Sequence, residues 1–139
     1  LIYFLDTSVL VPLFLKDHPH HARSLELFLQ CNPDSAGCAA HSLLETYSTL
    51  TRIPFPYRAT PAEAIFLFRT VFDRLQPIGL DPVEYLTTLE DASSMGVVGG
   101  TLYDFLIYRC ALKANAVTLY TWNLRHYSGF GAEISRVPE

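Results

Sequence analysis

Four oxygen-bearing side chains, Asp6, Glu45, Asp104 and Asn123, fall in this 139-residue chain where the local pattern changes from strand to turn or from turn to helix. Carboxylates brought together repel one another and must take up protons or cations. A set made only of oxygen donors, without a His–Cys cluster, selects hard cations such as Mg²⁺ or Mn²⁺. Each acid also has a plainer reading. Asp6 could cap the helix that follows it. Ser42-x-x-Glu45 and Thr101-x-x-Asp104 both match the capping-box pattern. Capping and metal binding do not exclude each other, because a capping acid already turns its oxygens toward the helix mouth, where anions are also welcomed.

The elements that must position these residues read as alternating strands and helices. Ile2 to Leu5 is an apolar strand buried on both faces, and Val9 to Leu15 reads as a helix. His20 to Cys31 follows, with Ala22, Leu25, Phe28 and Leu29 on its inner face; His18, His20 and His21 read as a solvated helix entrance rather than a metal cluster. Ser35 to Ala40 is a strand of small residues, and the helix after it buries Leu43, Tyr47 and Leu50. Ile53-Pro54-Phe55-Pro56-Tyr57-Arg58 is a stiff loop. Thr60-Pro61-Ala62-Glu63 caps a helix whose core arc is Ile65, Leu67, Phe68, Val71, Phe72 and Leu75, with Phe66 off that arc. Gln76 to Leu80 is a strand, Asp81-Pro82-Val83-Glu84 caps a helix ending at Gly96, and the helix carrying Asp104 leads into a strand over 116–120. An edge strand is expected near Ile134.

This alternation predicts an α/β fold of three layers, α/β/α, with a mainly parallel central sheet of four to five strands in a single domain over residues 1–139. In such a sheet the strand ends and the starts of the following helices share one edge. Asp6, Glu45 and Asn123 therefore lie on that edge, and Asp104 joins them if its helix is oriented to deliver it.

The net charge is −4, which argues against broad polyanion binding, but the charge is unevenly spread. Residues 81–104 hold five acids and no Lys or Arg, residues 52–74 hold Arg52, Arg58, Arg69 and Arg74 against two acids, and residues 105–132 hold three bases and no acid. An acidic site flanked by basic arcs suits a metal with a phosphate; solvated helix faces would give the same pattern. Half of the residues are hydrophobic, which hints at an apolar surface reserved for a partner. No apolar run is long enough to cross a membrane, no secretory segment is expected, and Cys31, Cys38 and Cys110 read as reduced core thiols of a cytoplasmic protein.

Taken in order, Asp6-Thr7-Ser8, Glu45 in a helix, Leu50-Thr51-Arg52 before the Pro-rich loop, Gly99-Gly100 before Tyr103-Asp104, and Thr121-Trp122-Asn123-Leu124-Arg125-His126-Tyr127 resemble a PIN domain, most of all the VapC toxins of bacterial toxin–antitoxin pairs. The resemblance covers nearly the whole chain. It implies an Mg²⁺- or Mn²⁺-dependent endoribonuclease with Asp6, Glu45 and Asp104 as metal-binding acids. Asn123 stands where many members carry a fourth acid, which puts a second tightly held metal in doubt. Thr7, Ser8 and Thr121 become hydroxyls that either support the metal-binding acids or contact the phosphate, and Arg52 and Arg125 become candidates for holding the RNA backbone on either side. The resemblance also implies a homodimer and a cognate antitoxin, for which the helices of residues 42–52 and 61–75 and the exposed Phe66 would form a groove. Two rival readings are a binding module on the same fold and a metal-independent ribonuclease using His41 or His126. A phosphoacceptor receiver domain is excluded, because its paired acids, central Asp and late Lys are missing.

Overall fold

The computed structural model describes residues 1–131 and 133–139. Its strands are β1 (Tyr3–Leu5), β2 (Ala36–Ala39), β3 (Gln76–Ile78), β4 (Thr118–Tyr120) and β5 (Ser135–Arg136). Its helices are α1 (Thr7–Leu10), α2 (His21–Leu29), α3 (Ala40–Arg52), α4 (Pro61–Arg74), α5 (Pro82–Met95) and α6 (Thr101–Lys113), with 3₁₀ turns at Val11–Phe14 and Leu124–His126. The strands form one sheet in the order β3-β2-β1-β4-β5, and every neighbouring pair is parallel. The expected sheet of four to five parallel strands is what is observed.

Successive residues of β1 serve opposite faces, as the pleat requires. Leu5 joins a core with Leu10, Phe28, Cys38, Phe68 and Val71, under α1, α2 and α4. Phe4 joins the other core, with Ala92, Phe105, Ile107, Leu119 and Phe130, under α5 and α6. Two cores on one sheet make the three layers. Burial raises the thiols of Cys31 and Cys38 to about 12 and that of Cys110 to about 11, so all three stay free and protonated.

Local signals fare unevenly. The capping boxes at Thr60/Glu63 and Asp81/Glu84 form in full, and Gly96 closes α5 at φ 72°. The expected helix over 9–15 does not form as one piece. Pro12 has no N–H to give to an α-helical ladder, and the segment splits into α1 and a 3₁₀ turn. The capping boxes expected at Ser42/Glu45 and Thr101/Asp104 are absent. β2 runs directly into α3, which starts at Ala40 and leaves Ser42 inside the first turn, its Oγ buried with no hydrogen-bond partner among the described residues. Likewise α6 starts at Thr101 behind Gly100, with no side-chain cap.

Two buried faces are also rotated from expectation. α2 buries Ser24, Leu27 and Phe28 while Leu29 is exposed, and α4 buries Ala64, Phe68 and Val71 while Ile65 and Phe72 face outward beside Phe66. α4 is apolar on both sides, and such a helix in contact with water on one of them presents a surface suited to a partner.

β2 lies between β1 and β3, and Gly37 is where the approach is closest. A Cβ there would sit 2.7 Å from the Gln76 carbonyl oxygen and 2.8 Å from Leu1 Cδ1. Gly37→Ala is therefore expected to destabilise the protein by about 1–3 kcal/mol through overpacking against backbone. At Gly79 the added carbon meets only Ala40 Cβ, at 3.9 Å, so Gly79→Ala should leave the urea midpoint nearly unchanged. Denaturation of the two variants side by side checks both.

Candidate active site at the switch point of the sheet

β1 is flanked by β2 on one side and β4 on the other, so the chain reverses its winding direction at β1. Open α/β sheets bind ligands in the crevice beyond the strand ends at such a point. A cleft of about 440 Å³ lies there, and Asp6, Thr7, Ser8, Glu45, Asp104 and Asn123 all line it. Six of the residues singled out from the sequence are thus brought to one place.

Asp6 follows β1, and its backbone N–H donates to Tyr120 O at 2.9 Å, tying it to the end of β4. Its side chain is 3 % exposed. Burying a carboxylate is tolerable only with strong donors around it. Tyr127 OH donates to Asp6 Oδ1 at 2.6 Å; Thr121 Oγ1 at 2.9 Å and the Ser8 N–H at 3.2 Å donate to Oδ2. The last of these is the N-cap bond of α1, so Asp6 caps a helix while it lines the cleft. Burial first, then the Asp6 charge, holds the Tyr127 phenol far above its ordinary range, and it remains a donor.

The hydroxyls form a directed chain. The Thr121 proton is given to Asp6, so in the 3.3 Å contact between Ser8 Oγ and Thr121 Oγ1 the serine is the donor. Ser8 Oγ in turn accepts the Trp122 N–H at 2.9 Å, and Thr121 Oγ1 accepts the Asn123 N–H at 3.0 Å. Thr121 is fully buried behind the cleft and holds its floor in place. Thr7 Oγ1 donates to Glu45 Oε1 at 2.8 Å and orients that acid.

Asp104, in the first turn of α6, is raised to about 6 by burial first, then by the Asp6 charge, with Glu45 adding to the rise and His126 opposing it. His126 Nδ1 stands 3.3 Å from Asp104 Oδ2. Like charges in a half-buried cleft thus raise the affinity of Asp104 for a positive species. Among the described residues, no three His, Cys, Asp or Glu side chains are already gathered into a finished ligand cluster. The donor chemistry still fits a hard divalent cation: three carboxylates and the Asn123 amide line one cleft, and it is the mutual repulsion of the acids that a cation would relieve.

Arg52, at the end of α3, and Arg125, in the second 3₁₀ turn, are exposed and are not among the residues that line the cleft. His41, by contrast, stacks on Tyr103 with ring centroids 5.2 Å apart and lies 3.9 Å from Glu45 Oε1, beyond hydrogen-bond reach. Four contributors were not expected from the sequence. Tyr127 binds Asp6 across 121 residues, and Trp122 lines the cleft together with His18 and His20, read as a solvated helix entrance. The position of Tyr127 and Trp122 just after a strand that ends at this edge was the available signal.

Known proteins share the fold on which this cleft is built. The family model of the PIN domain matches residues 3–128. Ribonuclease VapC40 of Mycobacterium tuberculosis is 32% identical over 120 residues, covering 86% of this chain and 85% of the relative. Ribonuclease VapC27 of the same species is 32% identical over 111 residues, 80% of this chain and 77% of the relative. Among solved structures, VapC20 of M. tuberculosis, described as a sarcin–ricin-loop-cleaving toxin, superposes with a TM-score of 0.73 at 15% identity, covering 95% of this chain and 98% of its own. VapBC2 of Rickettsia felis, bound to a DNA fragment from its promoter, gives 0.68 at 21% identity over 99% of this chain and 98% of that one. The chain belongs to the PIN-domain family.

Proposed function

We propose that residues 1–139 form a single nuclease unit, a VapC-type toxin that hydrolyses RNA phosphodiester bonds endonucleolytically with the help of Mg²⁺ or Mn²⁺. The observation that carries this reading is the joint presence of Asp6, Glu45 and Asp104 in one cleft at the sheet's switch point, with Asp104 raised to about 6 by burial and by its acidic neighbours. The relatives named as ribonucleases support the reaction class. A divalent cation bound there would supply a water of lowered pKa and a counter-charge for the phosphoryl oxygens. The chain's own part is to hold the ligands still. Tyr127, Thr121 and Ser8 fix Asp6, Thr7 turns Glu45, and the Asn123 amide offers a neutral oxygen. Among the described residues, Arg52 and Arg125 form no side-chain hydrogen bond or ion pair, so both are free to meet backbone phosphates away from the cleft. No helix among the described residues is long and apolar enough to cross a membrane, and we place the protein's work in the cytoplasm.

The partner is proposed on similar grounds. The neighbours of this fold include toxin–antitoxin complexes. On this chain Phe66 is 69% exposed, Phe55 83% and Tyr57 58%, and a cleft between the Pro-rich loop and α4 is lined by Phe14, Tyr57, Arg58 and Phe66. Aromatic and arginine side chains together are the residue types that anchor protein interfaces. We assign this groove to an antitoxin segment, and the outer apolar faces of the molecule to a homodimer.

Purified protein should cut a permissive single-stranded RNA in Mg²⁺ or Mn²⁺ and stop on addition of EDTA, with Asp6→Asn and Glu45→Gln each lowering the rate at least about a hundredfold. Cutting that survives exhaustive chelation would move the chemistry to His126 or His41. A second outcome concerns stability. Because the folded-state value of Asp104 lies above its unfolded value, the folded form binds the proton more tightly, and the metal-free protein loses stability as pH rises from about 4 through about 6. Asp104→Asn should remove that loss. After discount for partial exposure, the chelated variant should be more stable than wild type by about 1–2 kcal/mol at pH 7.5 and equal to it at pH 4. Melting curves at the two pH values decide it. Phe66→Glu should leave the melting temperature unchanged while weakening capture by a co-expressed antitoxin; a lowered melting temperature with intact capture would show that Phe66 serves the core.

A further inference from the structure

One wall of the acidic cleft is aromatic, and the proposed reaction leaves it without a role. His20 lies flat on Trp122, with ring centroids 3.8 Å apart and planes within 6°, and His18 leans on His20 at 5.6 Å and 41°. All three line the same cleft as Asp6, Glu45 and Asp104. The wall is rigidly mounted. Trp122 Nε1 donates to Ser24 Oγ at 3.0 Å, its backbone N–H is held by Ser8, and the His20 N–H donates to His18 Nδ1 at 3.0 Å. Acceptance of that bond fixes the His18 tautomer, with the ring proton on Nε2. Burial, then His20 and His21, lowers the His18 value and keeps this ring neutral. Rings stacked at the mouth of a hydrolytic site are the means by which single-stranded nucleic acid is gripped, because every base has a face to stack and unpaired bases can be splayed onto it.

Resting on the ribonuclease reading, we infer that His20, backed by Trp122 and flanked by His18, is a stacking shelf for one nucleobase next to the scissile phosphate of single-stranded RNA. Duplexed RNA keeps its bases stacked on each other, so the shelf selects unpaired segments. His20 is on this view a substrate-contacting residue that sets affinity and register rather than bond cleavage.

The test uses the fact that Trp122 is the chain's single tryptophan, so emission excited beyond the tyrosine absorption band comes from the shelf. A short dye-labelled single-stranded RNA is titrated into Asp104→Asn protein, following dye anisotropy for binding and tryptophan emission for stacking, with a gel to verify that the RNA stays whole. Binding should be accompanied by a change in tryptophan emission. The same RNA carrying abasic positions should bind about 5- to 100-fold more weakly and leave the emission unaltered. With otherwise wild-type protein, His20→Ala should raise KM by a similar factor with kcat within about twofold, and His20→Phe should recover most of the loss. RNA that binds without altering Trp122 emission, or abasic RNA that binds as well as intact RNA, overturns the shelf while leaving the ribonuclease reading in place. Binding and quenching by a protein that never cuts RNA would overturn the ribonuclease reading and keep the shelf. No binding of RNA at all overturns both. If His20→Ala fails to fold, the abasic comparison still decides, since it changes no protein residue.

Discussion

A carboxylate kept almost wholly out of water is the constraint from which the rest of this structure follows. Asp6 accepts from the Ser8 N–H beside it and from Thr121 and Tyr127 in the segment that follows β4. Unmet, such a charge would cost several kcal/mol, and it would neutralise itself by taking a proton. Meeting it locks the ends of β1 and β4 together, starts α1, and anchors the segment after the second 3₁₀ turn, whose Phe130 meets Phe105 of α6 edge-on at 5.1 Å. The carboxylate proposed above as a metal ligand is also the group whose hydrogen bonds hold the segment after β4 in place.

Charge elsewhere is arranged so that it does not compete with this site. Arg109 pairs with Asp91, and Lys113 pairs with Glu84 at 2.7 Å while donating to Gly79 O. Arg74 donates to the carbonyls of Leu29 and Cys31, and Arg58 to that of Ile53. Much of the basic arc seen in the sequence is therefore engaged in holding helices and turns together rather than in forming a field for a polyanion. With a net charge of −4 and three acids in the cleft, the molecule has little long-range attraction for RNA. For the RNA substrate proposed above, short-range terms would have to carry the encounter: a cation shared between acids and phosphate, a few free arginines, and ring faces.

What could be read from the sequence was local or topological. β1 as a buried strand, the caps at Thr60 and Asp81, the stop at Gly96 and the parallel order of the sheet all follow from residue types a few positions apart, and they imply which acids share an edge. Misreadings arose where a tertiary feature overrode a short pattern. Ser42-x-x-Glu45 looks like a cap, yet β2 passes into α3 without a turn, and Glu45 is taken by Thr7 instead. The inner faces of α2 and α4 are rotated because partner helices, not the count of apolar residues, decide which side is covered. Arg52 and Arg125, expected to hold RNA on either side of the site, stand outside the cleft, and Tyr127, His18 and His20 join the site through contacts that no local window contains.

Asn123 is best understood through the same electrostatics. Its N–H is tied to Thr121 Oγ1 at 3.0 Å, so its backbone is as firmly set as that of the acids, and its side chain lines the cleft. Burial, with the Asp6 and Glu45 charges adding to it, already raises Asp104 to about 6. A fourth charge at this position would add repulsion to every one of them and demand more positive charge before all could ionise together. An amide keeps an oxygen at the rim and omits that repulsion. For the metal role proposed above, a three-acid cleft would need less positive charge than a four-acid site built on the same strand ends.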